Sequence, residues 1–215
     1  MSNLAVYTVI FGNYDTLHIV PLVDASVDYI CFADHAFDAP YPWQVRVVDP
    51  LPHTDVVKAS RYYLGQATRV LPDYEYTIAH GGDATLTVLP VTLLNFVRDA
   101  DIAAFRHPHR NNVYEEPAAI TALGKDTNVE RMERQMAFYR WQGFSGTPFH
   151  ATGLLVRKNT PALRVFEHVW WQQILAGSHR NQLSFDYAAW VTGTTVADIP
   201  GDVFNNPYLK IYHSL

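Results

Sequence analysis

Hydrophobic residues form short β-rich runs that alternate with stretches of helical periodicity. The runs that predict strands are 4–11, 27–32, 43–48, 76–79, 102–105 and 153–157. The stretches that predict helices are 55–70, 89–98, 113–123, 128–142, 161–175 and 183–191. This alternation is typical of an α/β fold, here a single domain with a mostly parallel central sheet flanked by helices. The segment 200–215 shows neither period and is predicted to be irregular.

Composition narrows the class of protein. With 215 residues, 48% hydrophobic and 17% charged, the chain suits one globular domain spanning 1–215. Cys31 is the only cysteine, which excludes an intrachain disulfide and a cysteine-rich zinc site. A net charge of −5 argues against a large non-specific nucleic-acid surface. Residues 1–21 lack a signal-peptide pattern, and no run approaches the roughly 20 apolar residues of a membrane span, so we expect a cytoplasmic protein without a membrane partner.

The turn after the predicted strand 76–79 carries candidate chemistry. It reads His80-Gly81-Gly82-Asp83. In α/β proteins, ligands bind beyond the carboxyl ends of the strands, and glycines there allow a ligand to approach the backbone closely. Carboxylate oxygens bind Mg²⁺ or Mn²⁺, and Mn²⁺ also accepts imidazole. An ordinary glycine turn capped by aspartate is the alternative interpretation.

Two further stretches suggest contacts to a nucleotide. Gly12, Tyr14 and Asp15 follow the first strand, where a ring can stack on a base and a carboxylate can accept a base N–H or a ribose hydroxyl. Lys58 and Arg61 lie three residues apart on one helical face, where they can hold a diphosphate. A strand-ending turn and a solvated basic face remain the alternatives.

The segment 105–116 is unusually rich in polar chemistry for a chain with few charges. His107 and His109 have the spacing of a zinc pair, although no cysteine or HExxH partner accompanies them. A metal-dependent hydrolase is therefore a weaker hypothesis for this segment. Binding of an anionic or hydroxyl-rich substrate by His107, Arg110 and Glu116 is favoured.

In a fifth stretch, polar residues are concentrated at the start of the predicted helix 183–191. Arg180, Asn181 and Gln182 stand where backbone N–H groups also point outward, so they can meet a sugar or its leaving phosphate. Helix capping is the alternative, with Leu183 and Phe185 as core residues.

The order of these stretches resembles the DUF616 family of glycosyltransferase-like proteins, over about residues 4–191. The family has a Gly–Tyr–Asp turn, a Tyr-x-Cys-Phe strand, a Ser-Arg helix, an H-x-x-R…Y-E-E segment, a Q-M-x-x-Y segment and a final W-W…S-x-R…Q-x-S-F segment. The matching residues are Gly12, Tyr14, Asp15, Tyr29, Cys31, Phe32, Asp34, Ser60, Arg61, Pro72, Tyr74, His107, Arg110, Tyr114, Glu115, Glu116, Gln135, Met136, Tyr139, Gly143, Trp170, Trp171, Ser178, Arg180, Gln182, Ser184 and Phe185.

The resemblance implies a GT-A transferase: one Rossmann-like domain, a nucleotide-diphosphate sugar donor, and Mn²⁺ or Mg²⁺. A uridine donor is suggested by analogy only. Two positions depart from the family pattern. His80 stands where the family has a metal-proximal aspartate, and Asn181 replaces an aspartate with an amide, which cannot act as a general base.

The resemblance also implies roles for individual residues. Those expected to bind the donor are Gly12, Tyr14, Asp15, Asp34, Lys58, Arg61, His107, Arg110 and Arg180. The expected metal ligands are Asp83, His80 and His213. The candidate catalytic residues are Asn181, Gln182, Asp186 and Glu116, with either a carboxylate base or a retaining mechanism that needs none.

Sugar transfer to an acceptor hydroxyl is the leading hypothesis. A non-catalytic sugar- or nucleotide-binding protein on the same scaffold is the alternative, motivated by the changes at His80 and Asn181. The acceptor class and the stereochemical outcome stay open. A nucleic-acid acceptor is possible but is not favoured, because the chain is acidic overall.

Overall fold

A computed structural model describes residues 3–49, 51 and 54–212. Its strands are β1 (Leu4–Ile10), β2 (Asp28–Ala33), β3 (Gln44–Val47), β4 (Tyr76–His80), β5 (Ala84–Leu86), β6 (Ile102–Arg106), β7 (His150–Lys158), β8 (Val196–Asp202) and β9 (Leu209–Ile211). Its α-helices are α1 (Val56–Gly65), α2 (Ala67–Val70), α3 (Glu116–Ala122), α4 (Val129–Trp141), α5 (Pro161–Ala176) and α6 (Gln182–Thr192). Two 3₁₀ helices cover Pro90–Val97 and Val113–Glu115.

Seven strands form the central sheet in the order β3-β2-β1-β4-β7-β6-β8. The neighbours β3, β2, β1 and β4 are parallel to one another, and β6 is parallel to β8. Only β7, inserted between β4 and β6, pairs antiparallel. The expected α/β class with a mostly parallel sheet is therefore confirmed. Because β1, β2 and β4 are parallel neighbours, the loops that follow them meet at one edge of the sheet.

Apolar side chains cover both faces of this sheet. One core lies under α1, α5 and α6 and includes Tyr7, Phe166 and Trp170. The other lies on the opposite face and includes Val6 and Ile78. The burial of β1 on both faces explains why its sequence reads as a nearly continuous hydrophobic run.

The ends of the helices follow from local sequence. Asp55 caps α1 by accepting a hydrogen bond from the backbone N–H of Lys58, and Thr160 caps α5 with Pro161 as its first residue. None of the helices in the described parts of the chain is both long enough and apolar enough to cross a membrane.

Several predicted elements differ from the structure. The segment 200–215 was expected to be irregular, but β9 and the end of β8 lie within it, and β9 pairs antiparallel with the unpredicted strand β5. The helix expected over 55–70 is divided at Gln66, whose φ of −110° and ψ of 49° leave the helical region. The Gln66 side chain is buried and donates a hydrogen bond to the backbone oxygen of Glu167. A tertiary contact at this point therefore overrides helix propensity.

Candidate functional site

The carboxyl ends of β1 and β4 bring two loops into contact. A Cβ atom at Gly82 would lie 2.8 Å from Oδ2 of Asp15 and 2.9 Å from Cγ1 of Ile10. Glycine is therefore needed at position 82, because the Asp15 side chain occupies that space. The other side of the turn holds Asp83, whose Oδ1 lies 2.6 Å from where a Cβ at Gly81 would be. The carboxylates of Asp15 and Asp83 thus each lie close to one of the two glycines.

Asp34, at the end of β2, holds the loop that follows β1. Its Oδ2 accepts a hydrogen bond of 2.8 Å from the backbone N–H of Gly12, and its Oδ1 lies 2.7 Å from Nδ1 of His35. Burial acts to raise the pKa of Asp34, but the hydrogen bonds from His35 and Gly12 outweigh it and lower the pKa. Gly12 adopts a φ of +64°, and the loop then exposes Tyr14, 83% of which is accessible to solvent.

The two cations of α1 have different surroundings. Lys58 donates hydrogen bonds from Nζ to the backbone oxygens of Leu175 (2.9 Å) and Gly177 (3.5 Å), so it joins α1 to the end of α5. Arg61 has a buried Nε that finds no hydrogen-bond partner among the described residues. Burial, then the positive charge of Arg180, lowers the pKa of Arg61 to about 10, and Asp15 opposes the shift. The structure thus gives Lys58 a structural partner and leaves Arg61 beside Asp15 and Arg180.

Glu116, the first residue of α3, is the buried carboxylate of the site. It accepts hydrogen bonds from Nε of Arg110 and, at 3.1 Å, from Nε2 of Gln182. Burial raises the pKa of Glu116, although Arg110, Arg180 and Lys125 oppose this. These contacts bring the segments 107–116 and 180–182 together, as the sequence interpretation required.

The start of α6 is connected to the turn after β4 through Thr152 and Gly153. Thr152 donates from its backbone N to Oε1 of Gln182 and from its hydroxyl to Oδ1 of Asn181, both at 3.4 Å. The oxygen of Gly153 accepts a 3.2 Å hydrogen bond from the N–H of Gly81. A continuous path of contacts therefore runs from Asp15 through the glycine turn and Thr152 to Gln182 and Glu116.

His80 is not part of this path of contacts. Only 1% of it is exposed, its Nδ1 hydrogen bonds to the backbone oxygen of Gly81 at 2.8 Å, and its ring packs edge-on against Trp43. Burial lowers its pKa, which keeps the imidazole neutral. The structure thus places His80 inside the core. His213, the other histidine expected to bind metal, lies outside the described residues.

With His80 buried and His213 outside the described residues, carboxylates are the remaining candidate ligands for a divalent cation. No group of three His, Cys, Asp or Glu side chains suited to a metal exists among the residues that the structure describes. However, Mg²⁺ is commonly held by one or two carboxylates together with substrate phosphates. Asp83 and Asp15, on either side of the glycine turn, supply two such carboxylates. The donor set therefore fits a hard cation that shares its ligands with a phosphate.

His107 stabilises its own loop. Its Nδ1 accepts hydrogen bonds from the backbone N–H groups of His109 (3.2 Å) and Arg110 (3.0 Å), and its ring stacks on Phe149. Burial first, then nearby cations, lowers its pKa to about 4. With Nδ1 engaged by the backbone, the described residues provide no metal set for the hydrolase hypothesis at His107 and His109.

Asp186 is buried on α6. Its two carboxylate oxygens accept hydrogen bonds from the backbone N (2.8 Å) and Nδ1 (2.5 Å) of His150, whose Nε2 lies 3.0 Å from Asp198. Burial acts to lower the pKa of His150, but the bonds to Asp186 and Asp198 outweigh it and raise the pKa, with Arg106 opposing. Asp186 therefore holds the start of β7 in place.

This arrangement predicts a pH-dependent contribution to stability. The pKa of His150 in the folded state is raised above its ordinary value of 6.5, so its stabilisation is complete below that pH and is lost as pH rises through the raised pKa. Guanidinium unfolding between about pH 6 and about pH 9 should show wild type losing stability relative to His150→Gln. The exposed His168→Gln serves as control. Equal pH slopes in wild type and His150→Gln would contradict the assignment.

Sequence reasoning missed Lys125. The residue follows α3, where a Gly-Lys-Asp sequence reads as an ordinary helix end. In the structure, burial is the main cause that lowers the pKa of Lys125. The charge of Arg180 lowers this pKa further, and the charge of Glu116 opposes the shift. The contacts that place it there are long-range, and no local pattern reports them.

Comparisons with known proteins bear on the family and the fold. The family model described as TOD1/MUCI70, glycosyltransferase-like domain, matches residues 41–204. No curated protein matches the sequence. The apo structure of the bifunctional glycosyltransferase WbbM aligns with a TM-score of 0.54 at 11% sequence identity. The alignment covers 93% of this chain but only 39% of the WbbM chain. Apo mouse xyloside xylosyltransferase 1 aligns with a TM-score of 0.48 at 11% identity, over 92% of this chain and 84% of that one.

Proposed function

The chain belongs to the TOD1/MUCI70 glycosyltransferase-like family, and from this premise we propose that it transfers a sugar from a nucleotide-diphosphate donor to an acceptor hydroxyl. The observation that carries this proposal is the buried Nε of Arg61, which has no hydrogen-bond partner among the described residues and on which the charges of Asp15 and Arg180 act. A buried guanidinium N–H that has no acceptor in the described part of the chain suits an anionic ligand. The narrower resemblance to DUF616 proteins stays a prediction.

The nucleoside would bind above the loop that follows β1. The exposed ring of Tyr14 would stack on the base, and Asp15 would accept a base N–H or a ribose hydroxyl. Asp34 would act indirectly, because its carboxylate is engaged by Gly12 and His35. A uridine base is proposed by analogy alone.

The leaving diphosphate would lie between Arg61 and Arg180. Fixed positive charges directed at developing negative charge stabilise a transition state without reorganising. A divalent cation held by Asp83 and Asp15 would add positive charge at the same diphosphate.

The sugar and the acceptor would face Glu116, Gln182 and Asn181. The amides can orient hydroxyl groups but cannot take a proton. Glu116 is the carboxylate that Arg110 and Gln182 fix in one orientation. We therefore assign Glu116 as the residue able to accept the proton of the acceptor hydroxyl in an inverting reaction. In a retaining reaction, the leaving phosphate would take that proton.

A screen of nucleotide sugars by thermal shift, with and without Mn²⁺, tests the proposal. A ligand that binds only the folded state raises the melting temperature. The binding donors then enter a hydrolysis and transfer assay. Turnover supports a transferase, whereas binding without turnover across all donors supports the alternative of a non-catalytic binding protein. No binding by any nucleotide sugar would refute both.

Tyr14→Ala should raise the donor KM roughly tenfold, because stacking an aromatic side chain on a base contributes roughly 1–3 kcal/mol. Tyr14→Phe retains the ring and should behave like wild type. Trp141→Ala removes another highly exposed ring, 78% accessible, on α4 and serves as control. Steady-state kinetics at varied donor concentration would measure the change, and an unchanged KM in Tyr14→Ala would remove the stacking role.

A further inference from the structure

Three cationic side chains of the candidate site form no ion pair with another residue that the structure describes, although the charges of Asp15 and Glu116 act on them from a distance. Within the described part of the chain, the charged groups of Arg61, Arg180 and Lys125 form no ion pair and no hydrogen bond. Two other cations of the site do have partners in the protein: Arg110 is bonded to Glu116, and Lys58 is bonded to backbone oxygens. Unpaired cations held close together destabilise a folded protein, so an external anion is the natural compensation.

A set of hydrogen bonds fixes Lys125 against the residues before α6. The backbone oxygen of Lys125 lies 3.1 Å from Nε2 of His179, and Asp126 accepts a 2.5 Å hydrogen bond from the hydroxyl of Ser178. The same hydroxyl oxygen accepts from the N–H of Arg180 at 3.1 Å, and Gln135 accepts from the N–H of Ser178 at 3.0 Å. These hydrogen bonds join the segments 125–126 and 178–180, which carry Lys125 and Arg180.

Lys58 links α1, which carries Arg61, to the segment before Ser178. Its Nζ bonds to the oxygens of Leu175 and Gly177, directly before Ser178, and Arg61 follows it by three residues on the same face of α1. The charges of these cations also affect one another's pKa values. Besides burial, the larger effect, Arg180 lowers the pKa of both Arg61 and Lys125. Arg180 is thus the cation whose charge acts on both of the others.

We propose that Arg61, Arg180 and Lys125 form an anion site that holds the donor diphosphate through protein charges alone, so that binding does not require a divalent cation. This inference rests on the proposed sugar transfer and adds Lys125 as a residue that touches the substrate. Three positive charges suit the diphosphate of the donor, which carries about two negative charges because both of its phosphates are esterified, and the leaving nucleoside diphosphate, whose terminal phosphate carries roughly −1.5 to −2. The cation at Asp83 would then affect turnover more than affinity.

Inorganic pyrophosphate and UDP are suitable probes, because the first tests the diphosphate without any base. Both should bind wild type in EDTA by titration calorimetry. Lys125→Ala should weaken both affinities roughly tenfold or more, as expected for the loss of a hydrogen bond to a charged group. Lys125→Arg keeps the charge and should retain most of the affinity. Lys158→Ala, at the opposite end of the sheet beside Tyr76, should bind like wild type.

The outcomes separate the two proposals. Binding that occurs only with Mn²⁺, no binding under either condition, or a Lys125→Ala variant with unchanged affinity would overturn the anion site. Sugar transfer measured alongside any of these results would leave the proposed function standing. Conversely, metal-free binding that depends on Lys125, with no turnover of any donor, would support the anion site and refute the transferase. Melting temperatures of all variants show whether each one folds.

Discussion

Asp83→Ala should lower the turnover of a nucleotide-sugar donor by about a hundredfold or more, because a metal-assisted leaving group loses several kcal/mol of transition-state stabilisation when the metal is lost. Asp83 stands beside the glycine turn opposite Asp15, where its carboxylate can share a cation with phosphate oxygens. The substitution is compatible with the fold, since the contact of residue 83 with Tyr212 uses the backbone oxygen. Its effect should therefore be catalytic.

Steady-state kinetics over a range of Mn²⁺ concentrations would measure this effect. Wild type should show a dependence of kcat on Mn²⁺ that Asp83→Ala lacks. Asp73→Ala, in the exposed turn before β4, removes a carboxylate at the end of that strand opposite the glycine turn and should retain normal kinetics. Turnover of Asp83→Ala close to that of wild type would reject the metal role of this residue.

Glu167→Leu should reduce the free energy of unfolding by roughly 3–5 kcal/mol, the usual cost of removing one partner of a buried ion pair. Glu167 is fully buried on α5, where it lies 3.4 Å from Arg157 and accepts hydrogen bonds from the N–H (3.0 Å) and hydroxyl (2.5 Å) of Thr68. Arg157 is also fully buried and bonds to Tyr7 and to the oxygen of Leu64. Without Glu167, its charge stays in the core uncompensated.

Guanidinium unfolding of three variants would test this expectation. The double variant Arg157→Met, Glu167→Leu removes both charges and should recover much of the lost stability, since apolar replacements of a whole buried pair are often neutral. Glu130→Leu, on the exposed face of α4, should change stability by less than about 0.5 kcal/mol. A loss below about 1 kcal/mol in Glu167→Leu would show that the buried pair is not required.

The sheet was predictable where its strands are buried on both sides. β1, β2 and β4 read as apolar runs because both faces pack against core residues. β8 was missed because it is mostly exposed and contains Pro200 and Gly201, which are unfavourable in strands. The short strands β5 and β9 exist only through pairing with each other, across more than a hundred residues of chain. Local patterns cannot report such pairing.

The site was predictable where polar residues follow strands or begin helices. The glycine turn and Arg180 were singled out as candidates in this way, and Arg61 by its spacing of three residues from Lys58 on one helical face. The orientation of His80 could also have been inferred, because alternate residues of a strand share a face and Ile78 lies in the core. The position of Lys125 could not be inferred, because it depends on hydrogen bonds from Ser178 to Asp126 and between His179 and the backbone oxygen of Lys125.

A crystal structure of the protein with UDP tests the central claim most directly. We expect the diphosphate to lie within hydrogen-bonding distance of Arg61 and Arg180, with the base over Tyr14. A diphosphate bound elsewhere on the molecule, with both arginines still unpaired, would contradict the account.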